Sequence, residues 1–283
     1  MSYIQALVLG LLQGLTEFLP ISSSAHIEIA GRLLGWGDPG AAFTAIIQLG
    51  TEAAVVVYFW RDIVRIVGKW FRQWGPGGFG LRDPDVRLGW LVILGTIPIA
   101  VVGLIAKDWI ESELRSLWIV AAVLIVFGVL LGVADRLGRK QHLLGGMRYR
   151  DGIWIGIAQI LSLIPGVSRS GATTGMGLAL GYTRTAAAEF SFLIAVPAVV
   201  LSGGFELVNA LRGKTGTTGG HVLELGWGET AFATLVAFVV GYTVIRYFMQ
   251  YIRRGSFMPF VVYRILLGVV LLVLLGTGVL AAV

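Results

Sequence analysis

Six apolar runs, at about 41–60, 88–105, 117–133, 187–208, 229–249 and 260–281, leave this chain few ways to fold. Each approaches the roughly 20 residues a helix needs to cross a bilayer core, where every backbone N–H and C=O must be satisfied internally. The runs therefore predict the helical spans of one polytopic membrane domain covering residues 1–283. Composition agrees, since 56% of the residues are hydrophobic and 13% charged, and 40 glycines suit helices that pack closely or break within a membrane. The absence of cysteine removes disulfides, thiolate metal sites and cysteine nucleophiles. The N-terminal apolar stretch, residues 3–19, has neither a basic leader nor a small-residue cleavage site, so it reads as retained structure rather than a signal peptide.

Two other apolar stretches are too short to span and are interrupted at matching places. Residues 3–19 run into Pro20, three serines follow, and 27–35 form a second short piece. In the other half, 152–164 run into Pro165, the loop G-V-S-R-S-G-A-T follows, and 172–181 form the counterpart. The residue before a proline is pushed away from helical geometry, so the first helix should end near Leu19. Gln13 precedes Ser22 by nine residues, as Gln159 precedes Ser168, and S-S-S stands where the other half has S-R-S. Short broken segments of this kind are expected as re-entrant hairpins. Each half, about 1–133 and 152–283, is then one hairpin plus three spans. Three being odd, the second half enters from the opposite side. The expected fold is all-α, with six transmembrane helices plus two re-entrant helical hairpins in an inverted-topology repeat.

Charge orients this arrangement. The loops at 61–87, 134–151, 181–186 and 250–259 carry 14 Lys and Arg, and those at 32–40, 106–116 and 209–228 carry five. The basic side is expected in the cytoplasm, with both termini and the mouth of the first hairpin outside. The net charge of +6 thus reflects loop bias and anionic membrane lipids, and does not imply nucleic acid. Tyr58, Trp60, Trp109 and Trp118 read as interfacial anchors.

The two breaks also hold the chemistry. Gln13 and Glu17 share a helical face, Ser22, Ser23 and Ser24 follow, and His26 closes the stretch. Ser22, Ser24, Ser168, Ser170 and Thr173 suit the starts of two half-helices whose free N–H groups and dipoles attract anions. Arg169 adds a planar, permanently charged fork that matches phosphate oxygens. Glu17 supplies a carboxylate for a proton or a divalent cation, His26 an imidazole titrating near neutrality, and a central serine a nucleophile. Taken singly, the serines also suit capping, Glu17 with Arg169 an ion bridge between halves, and His26 a core position. Gln48, Glu52 and Glu189 read as supporting or helix-packing residues.

At these residues the chain closely resembles the undecaprenyl pyrophosphate phosphatase family, the bacitracin-resistance proteins of bacterial envelopes. The resemblance spans the chain and rests on Gln13–His26, on P-G-V-S-R-S-G-A-T from Pro165 to Thr173, on I-Q-L-G from Ile47, and on A-E-F-S-F-L-I-A-V-P from Ala188. It implies a hydrolase of the bacterial inner membrane, with its site opening to the periplasmic face. The enzyme would remove the terminal phosphate of a polyprenyl diphosphate and recycle the lipid carrier of cell-wall synthesis. Glu17, Ser23, His26 and Arg169 match the catalytic positions, with Gln13, Ser22, Ser24, Ser168, Ser170 and Thr173 around the substrate. A divalent cation, Mg or Ca, is implied, with Glu17 as its candidate ligand, and a homodimer is the candidate assembly. Many members carry a second glutamate where this chain has Gln13, and Thr-Gly where it has Ser24–Ala25. The histidine-based motifs of type 2 phosphatidic acid phosphatases are absent. An inverted repeat alone would equally suit a polyprenyl-phosphate transporter or flippase, but anion transport does not require an acid, a hydroxyl and an imidazole together.

Overall fold

The computed structural model describes all residues except 38, 76–77, 79, 114–115, 213–225 and 281–283, together with the side chains of 41 and 107–113. The Trp109 side chain and the 213–225 part of one connecting loop therefore lie outside the described residues. Among those described the chain is helical: α1 (Tyr3–Thr16), α2 (Ser23–Leu33), α3 (Ala41–Tyr58), α4 (Trp60–Arg72), α5 (Pro84–Glu113), α6 (Leu117–Leu137), α7 (Tyr149–Ile160), α8 (Arg169–Ala179), α9 (Arg184–Leu211), α10 (Trp227–Ile252) and α11 (Met258–Gly276). The segments Pro84–Ala106, α6, α9, α10 and α11 are long and apolar enough to cross a membrane. A sixth span exists if α3 and α4, bent by 78°, count as one. This is a multi-pass membrane protein.

The bend corrects the expectation that 61–87 is all loop. Residues 60–72 place Arg61, Arg65, Lys69 and Arg72 among apolar residues at helical spacing, so the segment forms a helix of its own. Ile66 is buried, whereas Trp60, Val64, Val67 and Phe71 are exposed. An amphipathic helix that turns aside at the end of a span fits a membrane surface better than its interior. Lys69 bonds Asp83 and Asp85, closing the connection to α5.

The breaks also differ in detail from the sequence reading. The first helix ends at Thr16, ahead of Leu19, and the helices after the serines start at Ser23 and Arg169 rather than at 27 and 172. The cause is capping: Ser22 Oγ accepts from Ala25 N and Ser168 Oγ from Gly171 N, which supplies the orphan donors of a helix start.

Helix contacts are duplicated between the halves. α1 packs on α10 and α7 on α5, α3 on α10 and α9 on α5, while α3 meets α9 and α6 meets α11 across the middle. Gly10 and Gly156 permit the first pair of contacts, since a Cβ on either would collide with a carbonyl oxygen, of Ala233 or Gly95. Both breaks thereby face each other inside the bundle.

Candidate active site

The two breaks share one local geometry. Ser22 (φ 73°, ψ 96°) and Ser168 (φ 69°, ψ 114°) both lie in left-handed space that non-glycine residues avoid. Each heads an 11-residue helix, and each hydroxyl stands 3.1 Å from that of the second serine on, Ser24 or Ser170. Strain on the order of 1–3 kcal/mol per residue persists only where the surroundings impose it, commonly at functional sites. Ser170 Oγ crosses between the breaks to the carbonyls of Glu17 and Leu19, at 3.3 and 3.2 Å.

Glu17, the C-cap of α1, is the centre of the cluster. Its Oε2 accepts from Ser23 Oγ at 2.6 Å and from Gln13 Nε2 at 2.8 Å, and its Oε1 accepts from Arg169 Nη2 at 2.8 Å. The carboxylate therefore joins the hydroxyl of one half to the guanidinium of the other. Arg169 Nη2 also reaches Glu52 Oε2 at 3.5 Å, and Nη1 reaches the Ala195 carbonyl at 3.4 Å. Glu52 is 1% exposed, and its Oε1, like Gln13 Oε1, has no partner among the described residues.

A cavity of about 570 Å³ opens onto this cluster, lined at its polar end by Glu17, Ser22, Ser23, Ser24, Ser168 and Arg169. Its other wall is mostly apolar, from Ile99, Ala100 and Leu104 of α5 and Ala198, Val199, Leu201 and Phe205 of α9, with Ser162, Ser202 and Glu206 also on it. Leu104 and Leu201 are 77% and 61% exposed, so the apolar end opens sideways between those helices onto the face that meets lipid. A polar end joined to a mostly apolar slot suits an amphiphile.

Glu17, Ser22, Ser23, Ser24, Ser168 and Arg169 line the cavity; Gln13 and Ser170 lie behind them, bonded to Glu17, and His26 and Thr173 do not line it either. His26 Nδ1 lies 2.7 Å from the Ser22 carbonyl and Nε2 lies 2.7 Å from the Tyr263 hydroxyl, with the two rings stacked. A carbonyl only accepts, so Nδ1 carries a proton and donates to Ser22 O, while Nε2 pairs with the Tyr263 hydroxyl. Both nitrogens are thus engaged away from Ser23. Thr173 is fully buried, donates to the Arg169 carbonyl at 2.7 Å and pairs with Ser191 at 2.6 Å, bracing the first turn of α8. Glu52 was read as a supporting residue, and the structure adds it to the charge cluster. Arg264 was not singled out, although an arginine inside an apolar run is itself a signal of function.

Oxygen donors for a hard cation are present. Glu17 and Glu52 converge on one guanidinium nitrogen, and Glu52 Oε1 is a buried carboxylate oxygen without a partner. Two carboxylates are all that gather here: among the described residues no group of three or more acidic or imidazole side chains that could hold a metal ion occurs, at this cluster or away from it.

Comparison with known proteins agrees with the geometry. The family model for the bacitracin resistance protein BacA matches residues 6–270. The chain is 59% identical over 283 residues to the undecaprenyl-diphosphatase of Micrococcus luteus, covering all of both chains. It is 60% identical over 282 residues to that of Clavibacter michiganensis subsp. michiganensis, again over both full lengths, and 55% identical to undecaprenyl-diphosphatase 2 of Agrobacterium fabrum, over all of this chain and 99% of that protein. A match across nearly the whole length, on a chain whose two capped breaks meet at a carboxylate, a serine and an arginine, makes this protein a member of the bacitracin resistance protein BacA family.

Proposed function

We propose that this protein is an undecaprenyl-diphosphatase, removing the terminal phosphate of undecaprenyl diphosphate to leave undecaprenyl phosphate and inorganic phosphate. It thereby recycles the lipid carrier of cell-wall synthesis and confers resistance to bacitracin. The observation that carries the catalytic assignment is the Ser23 hydroxyl donating at 2.6 Å to a carboxylate whose other oxygen is held by Arg169. A neutral serine is a poor nucleophile until a base takes its proton, and Glu17 Oε2 is already in bonding reach.

The diphosphate occupies the polar end of the cavity and the prenyl chain leaves between α5 and α9. Arg169 and the N–H groups at the starts of α2 and α8 hold the charge spread over the transferring phosphoryl, which is where most of the acceleration of such a reaction originates. Ser23 Oγ bonds to the terminal phosphorus, the bond from that phosphorus to the bridging oxygen breaks, and undecaprenyl phosphate departs with that oxygen. Glu17 holds the serine proton. Water then attacks the phosphoserine, Oγ recovers its proton from Glu17, and the water's proton leaves on inorganic phosphate. His26 serves from behind by fixing the strained Ser22 carbonyl. A divalent cation, when bound, would be held by Glu17 and Glu52 and would shield phosphoryl charge.

The six-span, two-hairpin inverted repeat belongs to this reading, as does an inner-membrane location with the cavity open to the periplasm. The duplicated helix contacts and the twin strained serines support the repeat, and the loop charges support the orientation. A serine intermediate inverts phosphorus twice and direct water attack inverts it once. With a terminal thiophosphate made chiral by oxygen isotopes, net retention is expected from the purified protein, and Ser23→Ala should lose at least about 10³-fold in turnover. Net inversion with substantial activity in Ser23→Ala would leave the serine as a phosphate contact only.

A further inference from the structure

Arg264 on α11 is fully buried, and every hydrogen bond its guanidinium makes goes to a main-chain carbonyl. Nη1 donates to Pro20 O at 3.1 Å in the first break. Nη2 donates to Gly166 O at 2.8 Å and Val167 O at 3.0 Å in the second, and Nε to Leu124 O at 3.4 Å on α6. Helix breaks free such carbonyls, and a free carbonyl in an apolar interior costs several kcal/mol by the usual transfer scales, so a donor for them is needed. A planar fork with five N–H groups serves two loops at once in a fixed geometry, which the single nitrogen of a lysine does not supply.

The position is asymmetric in an otherwise duplicated bundle. α6 and α11 cross close to Gly128 and Gly268, and the residue four before each is Leu124 and Arg264 respectively. One half therefore supplies a single arginine that ties down the breaks of both.

We infer that Arg264 is a positioning residue that fixes the register of the two helix breaks and hence the separation of Ser23 from Arg169. It touches neither residue and lines no part of the cavity. The carbonyls it holds lie two residues before Ser22 and one or two before Ser168, the strained caps that aim Ser23 and Arg169. Its effect is on the alignment of nucleophile and clamped phosphoryl, not on substrate affinity. A tie across both breaks also makes them one rigid unit, which opposes the rocking of one repeat against the other that alternating access uses.

The inference rests on the phosphoryl-transfer reading, so hydrolysis of undecaprenyl diphosphate by the parent protein is measured first; failure there refutes that reading and not this one. Arg264→Lys keeps the charge but cannot span both loops, and a misplacement near 1 Å costs on the order of 100-fold in rate. The expected result is kcat lowered about 100-fold with KM within about threefold. On a Ser23→Ala background Arg264→Lys should then change residual turnover by less than about twofold, because the alignment it protects is already void. A purely structural role predicts losses that multiply. Should Arg264→Lys not fold, Gly171→Ala displaces the fork with the charge kept: a Cβ there stands 2.9 Å from Nη1 and 3.3 Å from the Ser168 side chain, so Ser168→Ala is measured beside it as the control for the cap. Gly171→Ala should lower kcat about tenfold at unchanged KM and thermal stability. Parental kcat in a folded Arg264→Lys or Gly171→Ala protein, a loss confined to KM, or multiplicative losses on Ser23→Ala would each overturn the inference.

Discussion

Arg169 serves two carboxylates in the cluster and, in the proposed reaction, a phosphoryl group. Lysine at 169 would keep the charge but lose the fork, so Arg169→Lys is expected to lower kcat/KM on the order of 10²–10³-fold, checked by phosphate release. A variant near parental turnover would mean that Arg169 is only an ion bridge between the halves. The two glutamates should separate in the same assay. Glu17→Gln removes the oxygen that accepts the Ser23 proton and is expected to lose at least about 10³-fold, whereas Glu52→Gln removes a longer contact to Arg169 and should cost closer to tenfold. Equal losses would argue that Glu52 bears as directly on the reaction as Glu17. Glu17, Ser23 and Arg169 were legible in the sequence because the breaks that hold them are local: proline, serine and glycine announce where a helix stops. The partners of Glu52 and Arg264 were not, because they lie 117 and up to 244 residues away and depend on how helices pack, although an arginine inside the last apolar run was itself a signal. His26 shows the same limit from the other side. Its proximity in sequence to Ser23 suggested a shared site, but on a helix starting at Ser23 the ring at position 26 turns toward Tyr263 on α11.

Among the elements, α2 and α8 are most directly a product of the residue that precedes each. Ser22 and Ser168 have the φ of a glycine and a hydroxyl that caps the helix, so the residue that relieves an orphan N–H also carries the backbone strain. Alanine at 168 loses the cap and keeps the strain; glycine loses the cap and relieves the strain. Ser168→Ala is therefore expected to lower stability by about 1 kcal/mol or more, and Ser168→Gly by only a few tenths, read as unfolding midpoints in one detergent. A glycine variant no more stable than the alanine variant would mean that the left-handed geometry carries no strain at this position. The long apolar helices were legible from hydropathy to within a few residues: 229–249 became Trp227–Ile252 and 117–133 became Leu117–Leu137. α4 was missed because its charges outweigh its apolar residues in any average. Only their alternation at helical spacing reveals a helix whose exposed Trp60, Val64 and Phe71 suit a membrane surface.

At the scale of the whole molecule, loop charge and helix topology make one joint prediction. If the halves are inverted repeats with three spans each, the number of crossings is even and both termini lie on one side. The 14-to-five distribution of Lys and Arg then puts the loops around Arg82 and Arg148 in the cytoplasm and Ser2 outside. The count turns on α3, which is a crossing by itself if the 78° bend lies at the membrane surface and lays α4 along it. Were α3 not a crossing, five spans would remain and the termini would lie on opposite sides. The chain contains no cysteine, so single cysteines report without a background. Ser2 and Arg82 are both exposed and clear of the buried cluster, and Ser256, partly buried in the short turn between α10 and α11, reports the far end of the last helix pair. The expected pattern with an impermeant maleimide is labelling of Ser2→Cys in cells whose cytoplasmic membrane is intact, and labelling of Arg82→Cys and Ser256→Cys only once that membrane is opened. Labelling of Arg82→Cys before Ser2→Cys would reverse the orientation and place the cavity on the cytoplasmic side. Ser2→Cys and Ser256→Cys reacting together in intact cells would break the even count, and with it the inverted repeat.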